Sequence, residues 1–247
     1  MQGPLAITAA APETQLPLAA HPLPIPRYLA QAYWWAYVHP KAVRLFEREW
    51  LVNAILFGNY GRLRDAALAD LGDTGQTVHG RTLQVACVYG NLTHTLQQRL
   101  AAKASLDVVD VLPIQLKNLS KKLPPDARVA LLHGDSSALA CADASYDQVL
   151  LFFLLHEQPE GVRSATLGEA MRVVKPGGKV VVVDYHRPSS WHPMRPLMRL
   201  VFRKLEPYAL ALWRHEVQDF LAPGLRPASL TKHTYFGGLY QKLVLTK

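Results

Sequence analysis

The chain has 247 residues, of which 49% are hydrophobic; that is enough to bury one sizeable core and excludes a disordered chain. Two cysteines, Cys87 and Cys141, exclude a disulfide framework, and no Cys/His spacing suits zinc, so a reduced intracellular setting is expected. A formal net charge of +8 calls for an anionic partner, yet helix-turn-helix, RNP-like and zinc-finger patterns are missing, so that partner is not expected to be nucleic acid.

No uninterrupted apolar run reaches the length of a spanning helix, and the first residues lack a basic stretch followed by an apolar core. A soluble or peripherally bound protein is the expectation. Residues 1–26 are rich in Pro and Ala, with Pro17, Pro22, Pro24 and Pro26 blocking a long helix, and read as a flexible tail. Residues 27–80 read as a helical cap. Tyr33, Trp34 and Tyr37, then Val43, Phe46, Trp50, Ile55 and Leu56, recur at helical spacing, with breaks at Pro40 and Gly58. The Gly58-Asn59-Tyr60-Gly61 break is a place to expose polar groups to a cleft.

Strands and helices then alternate. Residues 82–87 form the first predicted strand, with a turn at Gly90 and a helix over 92–103. Strands over 106–109, 128–133 and 148–154 follow, the last apolar enough to be covered on both faces. A helix over 161–174 leads through Pro176-Gly177-Gly178 into a fifth strand at 179–184. Five such units predict a parallel, doubly wound sheet. After an insert at about 188–225, segments 231–236 and 239–246 read as an antiparallel hairpin around Gly237-Gly238. The expected fold is thus α/β and Rossmann-like: a mostly parallel seven-stranded sheet over 81–247, with a C-terminal antiparallel hairpin.

Ligands of such sheets bind beyond the carboxyl ends of the strands. Three features lie there: the turn from Val85 to Thr93, Asp110 twenty residues past Gly90, and Gly134-Asp135 after the third strand. Asp110 is placed like the acid that binds ribose hydroxyls. Together with Tyr146-Asp147 and the run from Val173 to Lys179, this ordered set resembles the class I methyltransferase family over roughly 81–245. The resemblance implies S-adenosylmethionine as ligand, with contacts from Cys87, Val88, Tyr89, Gly90, Asp110, Asp135 and Ser136. The first loop departs from the family pattern. Gln84 stands where an acid is expected, Ala86 and Val88 replace two glycines, and Gly90 alone remains.

Residues 33–37, 40–50 and 85–90 together resemble, more narrowly, the bacterial rhodoquinone-biosynthesis enzymes. That resemblance implies conversion of ubiquinone to rhodoquinone, with an amino group derived from S-adenosylmethionine replacing a ring methoxy. It also implies a divalent metal, manganese. For the metal, His133, His156 and Glu157 are the candidate ligands, since imidazole plus carboxylate suits Mn²⁺. Candidate acid–base residues are His156, Glu157, Tyr60 and Tyr89. The basic, amphipathic segment from Trp191 to Lys204 has the composition of an interfacial helix, which suits a peripheral site on the anionic inner face of a bacterial membrane, where ubiquinone is at hand. Two other readings stay open: conventional quinone methyl transfer, and a non-catalytic membrane-associated binding protein.

Overall fold

The computed structural model describes residues 23–73 and 77–247. Most of the segment expected to be a flexible tail, residues 1–22, therefore lies outside the described residues. A π-helix, Leu29–Val38, opens the described chain; its last turn closes with the His39 amide donating to the Trp34 carbonyl. Three short helices follow, α1 (Pro40–Phe46), α2 (Glu49–Ile55) and α3 (Tyr60–Leu71). Pro40 occupies the first turn of α1, where its missing N–H costs nothing.

Seven strands form one sheet: β1 (Arg81–Val85), β2 (Ser105–Asp110), β3 (Val129–His133), β4 (Tyr146–Phe152), β5 (Val174–Tyr185), β6 (Ser229–Tyr235) and β7 (Tyr240–Thr246). Their order is β3-β2-β1-β4-β5-β7-β6. The first five are parallel, while β7 pairs antiparallel with both β5 and β6, so the expected hairpin is present. Helices α4 (Leu92–Gln98), α5 (Pro113–Lys122) and α6 (Glu160–Val173) connect the parallel strands. Helix α7 (Arg195–Lys204) and two 3₁₀ turns, Ala209–Trp213 and Val217–Phe220, fill the insert before β6.

Alternation along the strands builds two cores. In β4, Leu150 and Phe152 pack with α3, α4 and α7, whereas Val149 and Leu151 pack with Leu167 and Met171 of α6. In β5, Val181 and Val183 join the first set, and Val180 and Val182 the second. All of these are fully or almost fully buried. Side chains of this size contribute roughly 1.5–3 kcal/mol each on burial, so the two-faced apolar strands dominate the fold's stability.

Local boundaries differ from the sequence expectation for identifiable reasons. Strand β4 stops at Phe152 rather than at 154 because Phe153 turns into the left-handed region, at φ 54°. Helix α4 stops at Gln98 rather than at 103, since the chain then bridges Val78 to Leu100. The Pro176-Gly177-Gly178 turn lies within β5 as a bulge: Tyr146 faces Val174, but Gln148 faces Lys179.

Arg163 on α6 is entirely buried. Its guanidinium donates to the carbonyls of Leu155 (2.7 Å), Gln158 (2.8 Å) and Tyr208 (2.9 Å), and stacks over Phe220 at 4.7 Å. It therefore ties the turn after β4 to the insert. Replacing it with leucine strands three carbonyls at about 1–3 kcal/mol each before relaxation. Arg163→Leu is expected to lower unfolding free energy by about 3–5 kcal/mol, read by urea denaturation. A loss under about 1 kcal/mol would show that the insert is held by other contacts.

Candidate active site

A cavity of about 530 Å³, within the size range of small-molecule sites, opens at the carboxyl ends of β1 and β4, where the strand order reverses. The wall at the strand ends is formed by Ala86, Cys87, Val88 and Tyr89 after β1, Asp110 at the end of β2, and Gly134 and Ser136 after β3, with Trp35 and Phe46 packed beside Tyr89. Val52, Phe57, Phe153, Met198 and Val201 add apolar walls. His156, Glu157 and Glu206 also line the cavity.

The loop after β1 keeps the backbone path that glycines would favour. Ala86 adopts φ 72°, a left-handed conformation that is unusual for alanine, and Gly90 adopts φ 83°. Gln84 explains the missing acid: its amide donates to the Ala86 carbonyl (3.0 Å) and accepts from the Thr93 hydroxyl (3.1 Å). A carboxylate could not make the first of these bonds. At Gly90 a Cβ would lie 2.6 Å from the Tyr60 hydroxyl, so only glycine fits.

Asp110 is buried, and burial raises its carboxyl to about 6 despite hydrogen bonds from the amides of Cys87 (2.7 Å) and Leu112 (2.8 Å). It holds the β1 and β2 loops together and still has acceptor capacity facing the cavity. Burial raises the Cys87 thiol, which leaves it an unreactive wall of the site. Ser136 shares hydrogen bonds with Thr166 and Gln158, both at 3.0 Å. Asp135, expected beside the cofactor, instead accepts from the amide and hydroxyl of Ser137 and borders a separate surface depression with Tyr28 and Gln31.

Tyr60 and Tyr89 are structural clamps rather than free acid–base groups. The Tyr60 hydroxyl accepts from the Leu92 amide (2.9 Å) and so satisfies the start of α4. The Tyr89 ring lies between Tyr37 and Phe46, with centroids at 5.6 and 6.0 Å, while its hydroxyl donates to the Ala36 carbonyl (2.7 Å) and accepts from Gln115 (2.8 Å). Burial raises both phenols, which keeps them protonated. Glu47 of the cap completes the clamp by accepting from the Gly90 amide, Asn118 and Lys122.

His156 and Glu157 sit in a 3₁₀ turn, Leu155–Glu157, and both are buried. His156 Nδ1 donates to Asp184 (2.9 Å), leaving Nε2 at 3.8 Å from Glu157 and 3.9 Å from Glu206. Burial opposes the imidazolium, but Asp184, Glu206 and Glu157 outweigh it and raise His156 to about 9. Burial raises Glu157 to about 8 against the pull of His156, and it raises Glu206 as well. Tyr37 donates a hydrogen bond to Glu157. The Oε2 atom of Glu206 has no hydrogen-bond partner among the described residues.

The expected metal set is not assembled. His133 turns its Nε2 to the Val111 carbonyl (3.1 Å), and the inner nitrogen of His156 is committed to Asp184. Among the described residues, no group of three His, Cys, Asp or Glu side chains is arranged to hold a metal ion, so these residues do not fit manganese. Glu206, Tyr37 and Gln115 escaped the sequence reading. Glu206 alone left a trace there, as the single acid between Asp184 and Glu216 in a basic insert.

A family model described as a methyltransferase domain matches residues 82–178. A demethylmenaquinone methyltransferase of Lysinibacillus sphaericus is 30% identical, covering 63% of this chain and 71% of that relative. One from Staphylococcus aureus is also 30% identical, but covers 56% of this chain, which spans only 56% of that relative's length. Human N-acetylserotonin methyltransferase, solved in complex with S-adenosylmethionine, aligns with a TM-score of 0.61 at 14% identity, over 90% of this chain and 62% of that one. An N-methyltransferase of Bradyrhizobium japonicum WM9, in complex with S-adenosylhomocysteine, aligns with a TM-score of 0.52 at 16% identity, over 75% and 87%. At these identities the structures establish a shared fold.

The buried cluster makes stability depend on pH. His156 is raised from 6.5 to about 9 and Glu157 from 4.5 to about 8, so the native state binds more protons than the unfolded chain in this range. The imidazolium contribution is complete below about 6.5 and is lost as pH rises through 9, and Glu157 adds a loss up to 8. Melting temperature is therefore expected to fall between pH 6.5 and 9. Asp184→Asn, which removes the principal partner of His156, is expected to flatten that fall in differential scanning calorimetry. An unchanged slope in the variant would exclude His156 as its source.

Proposed function

Because the chain belongs to the class I S-adenosylmethionine-dependent methyltransferase family, we propose that it methylates the ring of a reduced quinone. The observation that carries this reading is one cavity lined together by Asp110, Gly134 and Ser136 at the strand ends, by apolar and aromatic side chains, and by the buried carboxylate of Glu157. The demethylmenaquinone methyltransferases among the relatives support the substrate class. The donor set fits the cofactor. Asp110 has spare acceptor sites for ribose hydroxyls, and glycine at 134, where a Cβ would lie 2.8 Å from Val109, lets the turn after β3 pack against β2 beside it.

When bound, S-adenosylmethionine supplies an electrophilic sulfonium methyl. The chain supplies the proton chemistry. Glu157, with its carboxyl near 8, accepts the proton of a ring hydroxyl, since a general base works best with a pKa near the working pH. Loss of that proton makes the neighbouring ring carbon nucleophilic. His156, oriented by Asp184, and Tyr37 hold Glu157 in place. The aromatic walls orient the ring and exclude water. Ile55 of α2 and Leu205, just past the end of α7, line the cavity and are both exposed, which makes the gap between these helices the entry for a substrate with an apolar tail.

A second reading, exchange of a ring methoxy for an amino group derived from S-adenosylmethionine, is favoured by the first loop alone. There Val88 stands where the family pattern has a glycine, and the ring of the adjoining Tyr89 is fixed between Tyr37 and Phe46. Such filling redirects the methionine arm of the cofactor.

Product mass separates the readings: with S-adenosylmethionine, demethylmenaquinol is expected to gain one methyl, and ubiquinone, whose ring has no free carbon, is expected to stay unchanged. Exchange of methoxy for amino selects the second reading, and failure to bind S-adenosylhomocysteine by calorimetry leaves a non-catalytic binding protein. Glu157→Gln is expected to lower kcat by about 10²–10⁴ while leaving S-adenosylhomocysteine affinity unchanged. The alkaline rise of kcat/KM near pH 8 should vanish with it. Asp110→Ala is expected to weaken S-adenosylhomocysteine binding by at least about tenfold, through loss of charge-assisted hydrogen bonds. Wild-type binding should weaken as pH falls below about 6, where a proton occupies Asp110.

A further inference from the structure

Helix α7 has two faces. Met198 and Phe202 are buried, and Met198, Val201 and Leu205 line the main cavity. On the other side, Arg195, Arg199 and Arg203 recur one turn apart. Arg187, just past β5, and Arg214, just past the Ala209–Trp213 turn, join them around a separate cavity of about 400 Å³. No acidic side chain lines this cavity. Among the described residues none of the five guanidinium groups is recorded in an ion pair, and the Nε of Arg195 is buried without a hydrogen-bond partner. Elsewhere the chain pairs its structural arginines: Arg81 with Asp107, Arg128 with Asp126, Arg172 with Glu169.

Like charges one helical turn apart repel, so this face destabilises the free helix. An anion with several oxygens removes the repulsion, and the planar guanidinium suits the tetrahedral phosphate group through paired hydrogen bonds. Three of the same arginines also border a shallower groove with Trp191, which is 93% exposed, and Leu200, which is 56% exposed. Tryptophan and leucine beside unpaired arginines on an amphipathic helix match the boundary between lipid headgroups and acyl chains.

We propose that the pocket formed by Arg187, Arg195, Arg199, Arg203 and Arg214 binds the phosphate of an anionic phospholipid headgroup, with Trp191 and Leu200 entering the adjoining interface. Three of the arginines, Arg195, Arg199 and Arg203, lie on the helix that also walls the main cavity, so the bound headgroup holds the α2–α7 entry against the bilayer. The inference goes beyond the reading of the reaction and is independent of which group is transferred.

Vesicle co-sedimentation tests it with the full chain. Wild-type protein is expected to bind phosphatidylglycerol vesicles and not phosphatidylcholine vesicles. Arg195→Gln, Arg199→Gln and Arg203→Gln combined should lower the partition coefficient on the order of a hundredfold. Removal of equal charge at Lys103, Lys117 and Lys121, outside the pocket, should cost far less. Trp191→Ala should weaken binding without changing headgroup preference. Both multiple variants are first checked for wild-type melting and S-adenosylhomocysteine affinity; if the arginine variant fails to fold, Arg199→Gln alone, on an exposed turn, replaces it and is expected to lose about fivefold. Equal losses in the arginine and lysine variants would reduce the effect to diffuse charge and overturn the pocket. Binding of pyrophosphate in calorimetry, abolished by the arginine variant but without any vesicle binding, would overturn the lipid in favour of a soluble phosphate ligand.

Discussion

Asp184 is the hinge of the site. It is fully buried at the end of β5, and its two oxygens accept four hydrogen bonds: from the amides of Leu155 (2.9 Å), His156 (3.2 Å) and Tyr185 (2.7 Å), and from His156 Nδ1 (2.9 Å). A buried carboxylate is costly unless its lone pairs are used, and here all four bonds come from the turn that carries His156 and Glu157 and from the end of β5. The same residue therefore bends the chain after β4 and fixes the imidazole, while burial first, then Glu206 and in smaller part Asp184, push Glu157 towards neutrality. Arg163 completes the constraint from the outside by holding the Leu155 and Gln158 carbonyls.

The wall after β1 solves a different problem. A loop short of glycine must still follow a path close to its ligand. Ala86 takes the left-handed conformation directly, and the surrounding structure supplies the compensation through Gln84, Tyr60 and Glu47. Strain of this kind persists only when neighbours over-determine it. Tyr89 converts the remaining space into an attachment for the N-terminal helices, because its ring stacks between Tyr37 and Phe46 while Gln115 bonds both its hydroxyl and the Tyr37 carbonyl. Cap, cofactor loop and acid–base cluster are consequently one mechanical unit, joined where Tyr37 meets Glu157.

Helix α7 links this unit to the surface. One face lines the cavity, and the other gathers arginines that the chain leaves without acids. Among the described residues no helix is long and apolar enough to cross a membrane.

The sequence alone determined the sheet, because its signals are local. The Val/Leu runs of β4 and β5 and the glycines of the β6–β7 hairpin act over a few residues, and the strands and the hairpin formed where expected, apart from shifts at their boundaries. Tertiary structure decided the chemistry. Glu206 lies 50 residues from His156, and Tyr37 lies 120 residues from Glu157, so no periodicity could join them. The roles of Tyr60 and Tyr89 were hidden for the same reason: whether a phenol is a base or a clamp depends on which backbone groups reach its oxygen. Gln84 reads in sequence as a lost acid, and only the fold reveals an amide donating to Ala86. The manganese set read from His133, His156 and Glu157 failed because adjacency to strand ends says nothing of where side chains turn, and His133 turns to the Val111 carbonyl.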